Sequence, residues 1–468
     1  MPVIFITDAL IFLLVFMTAL FVWYSFRHEH LRAPWRQVAQ NKLAMAAAVI
    51  LFFYIIIGLL DSIHFHPDME PGQQAESQNS TEILSVLDVL TGYLRKHTER
   101  TYSAPFASYA FSKEVIVLAD GTEIRDYPRL NYGGSHLASP DTEFPGDIVV
   151  KSITGFFLGV LVWCLLAIII IFCLARYRIS ETGRVFYKII KCQTPAPWHV
   201  ILATLAGVVV TGTVMFWISN YYHVFGTDKV GQDLLYQALK SVRTGLLIGT
   251  LTTLVMLPFA LAMGIMAGYF RGWVDDIIQY IYTTLNSIPG VLLIAASILM
   301  LEVYMTNHAS DFTSVERRAD MRLLFLCIIL GITSWTGLCR LLRGEALKLR
   351  EIDYVLTARA FGVSHFTIML RHILPNVMHI VMISIVLDFS GLVLAEAVLA
   401  YINIGVDPSM SSWGNMINSA RLEMAREPVV WWSLATAFVF MLGLVLPANL
   451  FADAVRDAFD PRIRKMIT

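Results

Sequence analysis

The sequence predicts an all-α protein that crosses a membrane many times, and three observations carry that reading. Of 468 residues, 56% are hydrophobic and only 15% are Asp, Glu, Lys or Arg, against roughly 25% charged in an ordinary soluble domain. A soluble globule cannot hide that much apolar surface. Eight stretches are free of charge over about the length that a bilayer-crossing helix needs, and a ninth, 375–401, carries only Asp388 and Glu396. Basic residues also gather in alternate connections between those stretches, the pattern that sets orientation in a membrane. The formal charge is −1, from 35 Lys and Arg against 36 Asp and Glu, so the basic excess of a nucleic-acid binder is missing.

In chain order the apolar windows run over 9–26, 43–60, 152–175, 198–221, 244–270, 277–301, 323–339, 375–401 and 429–452. The loop after the first holds Arg27, Arg32, Arg36 and Lys42. The loop after the third holds Arg176, Arg178, Arg184, Lys188 and Lys191. The loop after the seventh holds Arg340, Arg343, Lys348, Arg350, Arg359 and Arg371, and the tail holds Arg456, Arg462, Arg464 and Lys465. Nine alternating spans bring all four to one side, the cytoplasmic one, with the N-terminus outside and the C-terminus inside. The first window lacks a basic leader and an A-x-A site, and so reads as an uncleaved anchor.

Residues 61–150 form the largest polar segment and are expected outside. Ser80 is placed to cap a helix with Ile83, Leu87, Leu90 and Leu94 on one face. Val115 and Val117 read as a strand entering a tight turn at Asp120-Gly121. The expectation is a small α+β insert; at ~90 residues, a free-standing catalytic domain would bury proportionally little surface.

Motifs of enzyme chemistry are missing. There is no phosphate-binding loop, no H-E-x-x-H and no nucleophile elbow. His28-Glu29-His30 is too close-spaced for one helix face. His64, His66 and Asp68 read as a linker, and Asn79-Ser80-Thr81 is a short match of the kind that chance produces. The five cysteines, Cys164, Cys173, Cys192, Cys327 and Cys339, show no metal or disulfide spacing and read as buried apolar residues. No metal and no cofactor are expected in this chain.

The informative stretch is 340–376, RLLRGEALKLREIDYVLTARAFGVSHFTIMLRHILPN, which is too polar to span and long for a connection between membrane helices. Residues 344–360 are rich in helix formers, Gly362 breaks the run, and a second helical stretch from Ser364 to Ile373 leads to Pro375. Leu347, Ile352, Val355, Leu356, Ala358 and Phe361 supply apolar surface, and Arg350, Glu351, Asp353 and Arg359 polar surface. On physics alone, such an element suits a groove on another protein or a lipid surface equally well.

This loop resembles the EAA loop in permease subunits of binding-protein-dependent ABC importers, specifically the second (C-type) permease of the dipeptide/oligopeptide/nickel family. The match is carried by Tyr354-Val355-Leu356-Thr357-Ala358, then Gly362, then Arg371-His372-Ile373-Leu374-Pro375-Asn376. Leu356 and Thr357 stand where the family has glutamate and alanine. Further blocks agree in order: Phe225-Gly226-Thr227-Asp228 with Gly231 and Asp233 (Gln232 replacing the usual arginine), Gly268 to Asp275, Ile288-Pro289-Gly290, Ala395-Glu396-Ala397, Ser412 to Met416, and Arg456 to Arg462.

The resemblance implies a type I ABC importer permease core of six helices. It covers 35–60 and 223–468, with the coupling loop at 340–376. An extra anchor (1–34), an outside insert (61–150) and an extra transmembrane hairpin (151–222) are added to it. It implies a multi-pass protein of the bacterial inner membrane that imports peptides, or nickel or a peptide-like antibiotic. The implied partners are a homologous second permease, two ABC ATPase subunits that bind ATP and magnesium, and a periplasmic solute-binding protein. The residues it places near the ATPase are Arg350, Glu351, Tyr354, Ala358, Gly362 and Leu370. Asp388 and Glu396, acids at or near membrane depth, are expected in the substrate pathway or in structural hydrogen bonds. Two rivals remain: an ion-coupled secondary transporter, which would leave the helix–glycine–helix loop unexplained, and a membrane sensor, which would need a cytoplasmic signalling domain.

Overall fold

The computed structural model describes residues 2–27, 29–66, 83–117, 123–177, 182–308 and 314–459. The chain opens with β1 (Pro2–Val3), α1 (Ile6–Arg27), α2 (Glu29–Val38) and α3 (Lys42–Asp61). The insert carries β2 (His64–Phe65), β3 (Leu84–Ser85), α4 (Val86–Leu90), α5 (Gly92–Lys96), β4 (Glu114–Val117) and β5 (Glu123–Asp126). Next come α6 (Pro140–Tyr177), α7 (Thr182–Ile190), α8 (Trp198–Ser219), α9 (Leu234–Phe270), α10 (Trp273–Ser287), α11 (Gly290–Asn307) and α12 (Val315–Leu349). The last are α13 (Asp353–Ala360), α14 (His365–Ile368), α15 (Leu374–Tyr401), α16 (Trp413–Glu423) and α17 (Trp432–Phe459).

Among the described residues, eight helices are long and apolar enough to cross a membrane: α3, α6, α8, α9, α11, α12, the run His365–Tyr401 and α17. Helix α1 adds a shorter apolar stretch, Ile6–Leu20. One expected window needs correction. Residues 277–301 do not form a single span, because Ile288 is extended (φ −89°, ψ 128°) ahead of Pro289. A residue before proline is pushed out of the helical region. The segment therefore divides into α10 and the apolar helix α11, which runs on to Asn307.

The chain forms two compact units. One comprises Met1–Val3, Gln37–Thr244 and Ser411–Pro447; the other comprises Ile4–Arg36, Gly245–Met410 and Ala448–Thr468.

In the first unit, β1 pairs antiparallel with β2 (Pro2 opposite Phe65) and β2 with β3 (His64 opposite Ser85). Helix α4 is capped by Ser85, whereas the expected cap, Ser80, lies outside the described residues. Ser85 Oγ accepts from the Asp88 amide at 3.1 Å, and the Asp88 carboxylate accepts from the Ser85 amide at 2.9 Å, a reciprocal capping box. The expected single helix through Leu94 is instead two, because Thr91 ends α4 and Gly92 starts α5. Leu87 and Leu94 are buried, but Leu90 is exposed. Strand β4 holds Val115 and Val117 opposite Arg125 and Glu123, and the turn expected at Asp120-Gly121 lies outside the described residues.

The insert is stitched to the residues just before α9. The Glu99 amide donates to the Gly231 carbonyl at 2.9 Å, the Thr227 amide to the Ser103 carbonyl at 3.1 Å, and the Ser103 amide to Thr227 Oγ1 at 2.7 Å. The Phe106 amide adds a bond to the His223 carbonyl at 2.9 Å. Beneath these bonds, His223 Nδ1 lies 2.7 Å from Asp233 Oδ2, and its Nε2 lies 3.4 Å from Glu99 Oε1. Glu99 also accepts from the amides of Asn131, Tyr132 and Gly133 at 2.9, 2.8 and 3.2 Å. Burial opposes charge on the imidazole, but the two carboxylates outweigh it and lift His223 to about 9. Burial also opposes the charge on Glu99, while His223 and the three amides hold its carboxyl down at about 2.

Helices α6 and α8 pair through two indoles. Trp163 Nε1 donates to the Leu202 carbonyl at 3.0 Å, and Trp217 Nε1 to Thr154 Oγ1 at 2.9 Å. The cysteine expectation is corrected in part: Cys327 and Cys339 are buried, while Cys164, Cys173 and Cys192 are exposed. Lipid tails are as apolar as a protein core, so an apolar residue on a spanning helix need not be buried inside the chain.

Two apolar clusters lie among the described residues of the second unit. One gathers Leu247, Ile248 and Leu251 of α9 with Ile294 and Ile298 of α11 and Leu323, Leu326 and Leu330 of α12. The other gathers Met256, Ala260 and Ala267 of α9 with Leu338, Leu342 and Ala346 of α12, and it extends to Val355, Ile368 and Ile373. Thr7 at the start of α1 donates its hydroxyl to Asp320 of α12.

Candidate functional site

The site is the helix–turn–helix between α12 and α15, held within the second unit. Composition predicts unbroken helix over 344–360, but α12 stops at Leu349 and α13 begins at Asp353. The last turn of α12 is closed by tight bonds from the Glu351 and Ile352 amides to the Lys348 and Leu349 carbonyls, both 3.2 Å. Ile352 is extended (φ −78°, ψ 143°). The break frees Arg350 and Glu351 to reach the turn between α9 and α10. Arg350 Nη1 donates to the Tyr269 carbonyl at 2.8 Å, and Arg271 Nη2 lies 2.9 Å from Glu351 Oε1. Tyr269 in turn shares a 2.7 Å hydrogen bond with His365 Nδ1 of α14.

The Arg271–Glu351 side chains are 46% and 54% exposed. At that exposure a pair contributes little to stability. A stronger tie lies one turn away. Arg343 of α12 grips Asp275 of α10 through two bonds, Nε to Oδ1 at 2.6 Å and Nη2 to Oδ2 at 2.7 Å. The guanidinium holds the Asp275 carboxyl below its usual range.

Helix α13 turns one side inward and the other outward. Val355 is buried, and Ala358 and Val363 pack against the same cluster. Tyr354 is exposed, with its hydroxyl accepting from Asn376 Nδ2 at 3.0 Å, which ties α13 to the start of α15. Gly362 ends the helix at φ +77°. Its amide donates to the Arg359 carbonyl at 3.0 Å, and the Val363 amide reaches back to the Ala358 carbonyl at 3.1 Å. Those two bonds make a Schellman turn, which favours glycine at the left-handed position. Nothing lies within 4 Å of the place a Cβ would take. The requirement inside this chain is therefore one of backbone angle, not of space.

After Ser364 caps α14, a π-helical turn over Met369–Ile373 leads into α15. Pro375 has no amide, and its ring crowds the carbonyl four residues back; a widened turn there relieves both. Leu370 sits in this turn and is exposed. It shares the outward side of the loop with Leu356, Phe361 and Phe366, of which Phe361 is 84% and Phe366 68% exposed.

Of the six expected loop residues, Arg350 and Glu351 face the α9–α10 turn, Tyr354 meets α15, Ala358 packs inward, Gly362 makes the turn, and Leu370 faces out. Phe366, Tyr269, Arg271, Asp275, Arg343 and His365 escape a reading of the loop alone, because most of their contacts cross some 70 to 100 residues of sequence. Arg271-Gly272 between two helix-forming runs is the local signal for that turn; both have positive φ, +57° and +59°. On α15, Glu396 is 4% exposed, buried in the chain. Asp388 is half-buried, and no ion pair or hydrogen bond holds it among the described residues.

The loop rests on a close helix contact. A Cβ at Gly268 would fall 2.5 Å from Ala346 Cβ and 2.7 Å from the Arg343 carbonyl. Gly268→Leu is expected to force α9 and α12 apart, at a cost of about 1–3 kcal/mol or more, and to lower the apparent Tm of the purified chain by several degrees. Gly337→Ala on α12, where nothing lies within 4 Å, should leave it unchanged. An unaltered Tm for Gly268→Leu would remove the close-packing account.

Long apolar helices joined by a two-helix loop with an apolar outer rim define a polytopic membrane protein. Residues 260–465 match the family described as binding-protein-dependent transport system inner membrane component. The chain is 31% identical over 240 residues to the dipeptide transport system permease protein of Lactococcus lactis subsp. cremoris, a match covering 51% of this chain and 64% of that protein. It is 31% identical over 244 residues to the glutathione transport system permease protein of Pectobacterium atrosepticum, covering 52% and 73%. It is also 31% identical over 244 residues to the oligopeptide transport system permease protein of Mycobacterium tuberculosis, covering 52% and 77%. A structure of the MetNI methionine ABC transporter aligns with a TM-score of 0.37 at 14% identity, over 48% of this chain and 98% of that one, too distant a likeness to bear on the argument. The chain belongs to the family of binding-protein-dependent transport system inner membrane components. It is a transport component, not an enzyme.

Proposed function

We propose that this chain is the transmembrane permease subunit of an ATP-driven, binding-protein-dependent importer of peptides. The observation that carries the reading is the loop over 350–373: braced from behind by Arg350, Glu351 and Tyr354, and presenting Leu356, Phe361, Phe366 and Leu370 outward. Peptide as substrate is supported by the relatives, whose names specify dipeptide, oligopeptide and glutathione transport.

In this reading a second, homologous permease completes the pathway, and two ATPase subunits, which bind ATP and magnesium, dock on the loop. A periplasmic binding protein delivers the peptide. Closure of the ATPase pair pushes the loop, the brace passes the displacement to α9 and α10, and the helices rock between outward and inward access. The N-terminus and insert face outward and the C-terminus inward; pairing of Pro2–Val3 with the strand that opens the insert supports the first half of that orientation. Copurification from the native membrane should bring down both ATPases and the second permease. Recovery without any ATPase, together with uptake driven by a proton gradient, would overturn the reading.

Asp388 is proposed to line the pathway, because acids at membrane depth characteristically face a cavity or a partner, and Asp388 has no partner among the described residues. Glu396, buried within the chain, is proposed to hold helices together. Asp388→Asn is expected to slow uptake of peptides with a free ammonium group about tenfold and to spare amino-blocked ones. Equal rates for both, matching wild type, would take Asp388 out of the pathway.

A further inference from the structure

Helix α7 joins two spanning helices, α6 and α8, and must therefore lie at the bilayer surface where they emerge. Between Arg176 and Trp198 the chain carries Arg176, Arg178, Arg184, Lys188 and Lys191 against a single acid, Glu181. Arg184, Lys188 and Lys191 follow an i, i+4, i+7 spacing, which puts them along one helical face, and all three are exposed.

Ile189 sits on the other side and is buried against Ala167, Ile171 and Ala175 of α6 and Leu202 of α8. That contact pins the apolar side of α7 toward the hairpin and leaves the basic stripe turned away. Phe186 and Tyr187 stay 52% and 55% exposed, with Lys191 Nζ 4.5 Å from the Tyr187 ring centroid. Exposed aromatic residues beside a basic stripe are the composition of a helix that rests in a headgroup layer. The occupant with the complementary charge and the matching apolar layer is anionic lipid.

We propose that α7 is an interfacial site for anionic phospholipid headgroups. Arg184, Lys188 and Lys191 receive the phosphates, and Phe186 sits among the acyl chains. The extra hairpin thereby anchors the first unit to an anionic leaflet. The inference stands apart from the transport assignment, since it concerns residues that the family match does not cover.

The test uses the full chain reconstituted in phosphatidylcholine with trace spin-labelled phosphatidylglycerol, or spin-labelled phosphatidylcholine as reference. The motionally restricted fraction is read by electron paramagnetic resonance. Wild type should prefer the anionic label, and the triple variant Arg184→Gln, Lys188→Gln, Lys191→Gln should lose most of that preference, at about fivefold in affinity per neutralised side chain. The charge-preserving Arg184→Lys, and Lys113→Gln with Arg125→Gln on the insert, should keep it. Inorganic phosphate at matched ionic strength should leave it intact. An unchanged preference in the triple variant overturns the proposal, and displacement by inorganic phosphate would show a phosphate site in place of a lipid one.

Discussion

Gly362→Asp is expected to abolish uptake while the protein accumulates in the membrane at wild-type amounts. The argument is one of magnitude. A side chain at φ +77° costs about 1 kcal/mol in the left-handed region, and aspartate tolerates that region better than most residues. No atom of the chain lies within 4 Å of the new Cβ, so no clash adds to the strain. So small a cost does not unfold a helix anchored by Val355, Ile368 and Ile373, all at most 1% exposed. Loss of transport must then arise on the outward side, where a carboxylate would stand between Phe361 and Phe366 and be desolvated on docking. Gly362→Ala, with at least as much strain and little bulk, should retain a substantial part of the rate. Loss of transport to the same degree in both variants would assign the effect to backbone strain; full transport by Gly362→Asp would remove this loop from coupling altogether.

His223→Ala should produce the largest loss of stability outside the membrane. It would leave Glu99 and Asp233 facing each other with no cation between them, each at most 2% exposed. Breaking a buried charge pair in that way costs about 3–5 kcal/mol. The cluster also gives wild type a pH signature. His223 is lifted from 6.5 to about 9, so its contribution is complete below pH 6.5 and is lost as pH rises through about 9. Glu99 is depressed from 4.5 to about 2, so its contribution is complete above pH 4.5 and is lost as pH falls through about 2. Protease resistance of the insert in the detergent-purified chain should therefore be greatest between these limits and decline toward pH 9. His223→Gln should flatten the alkaline decline; a decline identical to wild type would show that His223 does not carry it.

How far these features can be read from sequence depends on the range of the interactions behind them. Gly362 is legible because a Schellman turn is written within six residues, Ala358 to Val363. Eight of the nine apolar windows overlap a described helix long and apolar enough to span, because a bilayer imposes a length on every helix it admits. Pro289 shows the limit of that criterion: window hydropathy runs through it, whereas the backbone stops at Ile288. The break at Arg350–Ile352 defeats composition for a different reason. Every residue there favours helix, yet the turn carrying Tyr269 and Arg271 competes for the Arg350 and Glu351 side chains from about 80 residues away. No local signal announces that competition. In the insert the signal is local: Ser85-Val86-Leu87-Asp88 spells the capping box that starts α4.

The stitching of the insert also dictates an order of manufacture. Glu99 to Ser103 are synthesised more than a hundred residues before the segment Thr227–Gly231 that receives their hydrogen bonds. Two further spans, α6 and α8, must be threaded through the translocation machinery in between. During that interval Glu99 is without His223, and the amides of Glu99 and Ser103 lack the partners they hold in the finished chain. The insert is thus an early-made but late-maturing piece of the protein, whose hydrogen bonds await a segment that follows the hairpin. A pause in translation within residues 140–222 would prolong the time that the insert spends without those bonds.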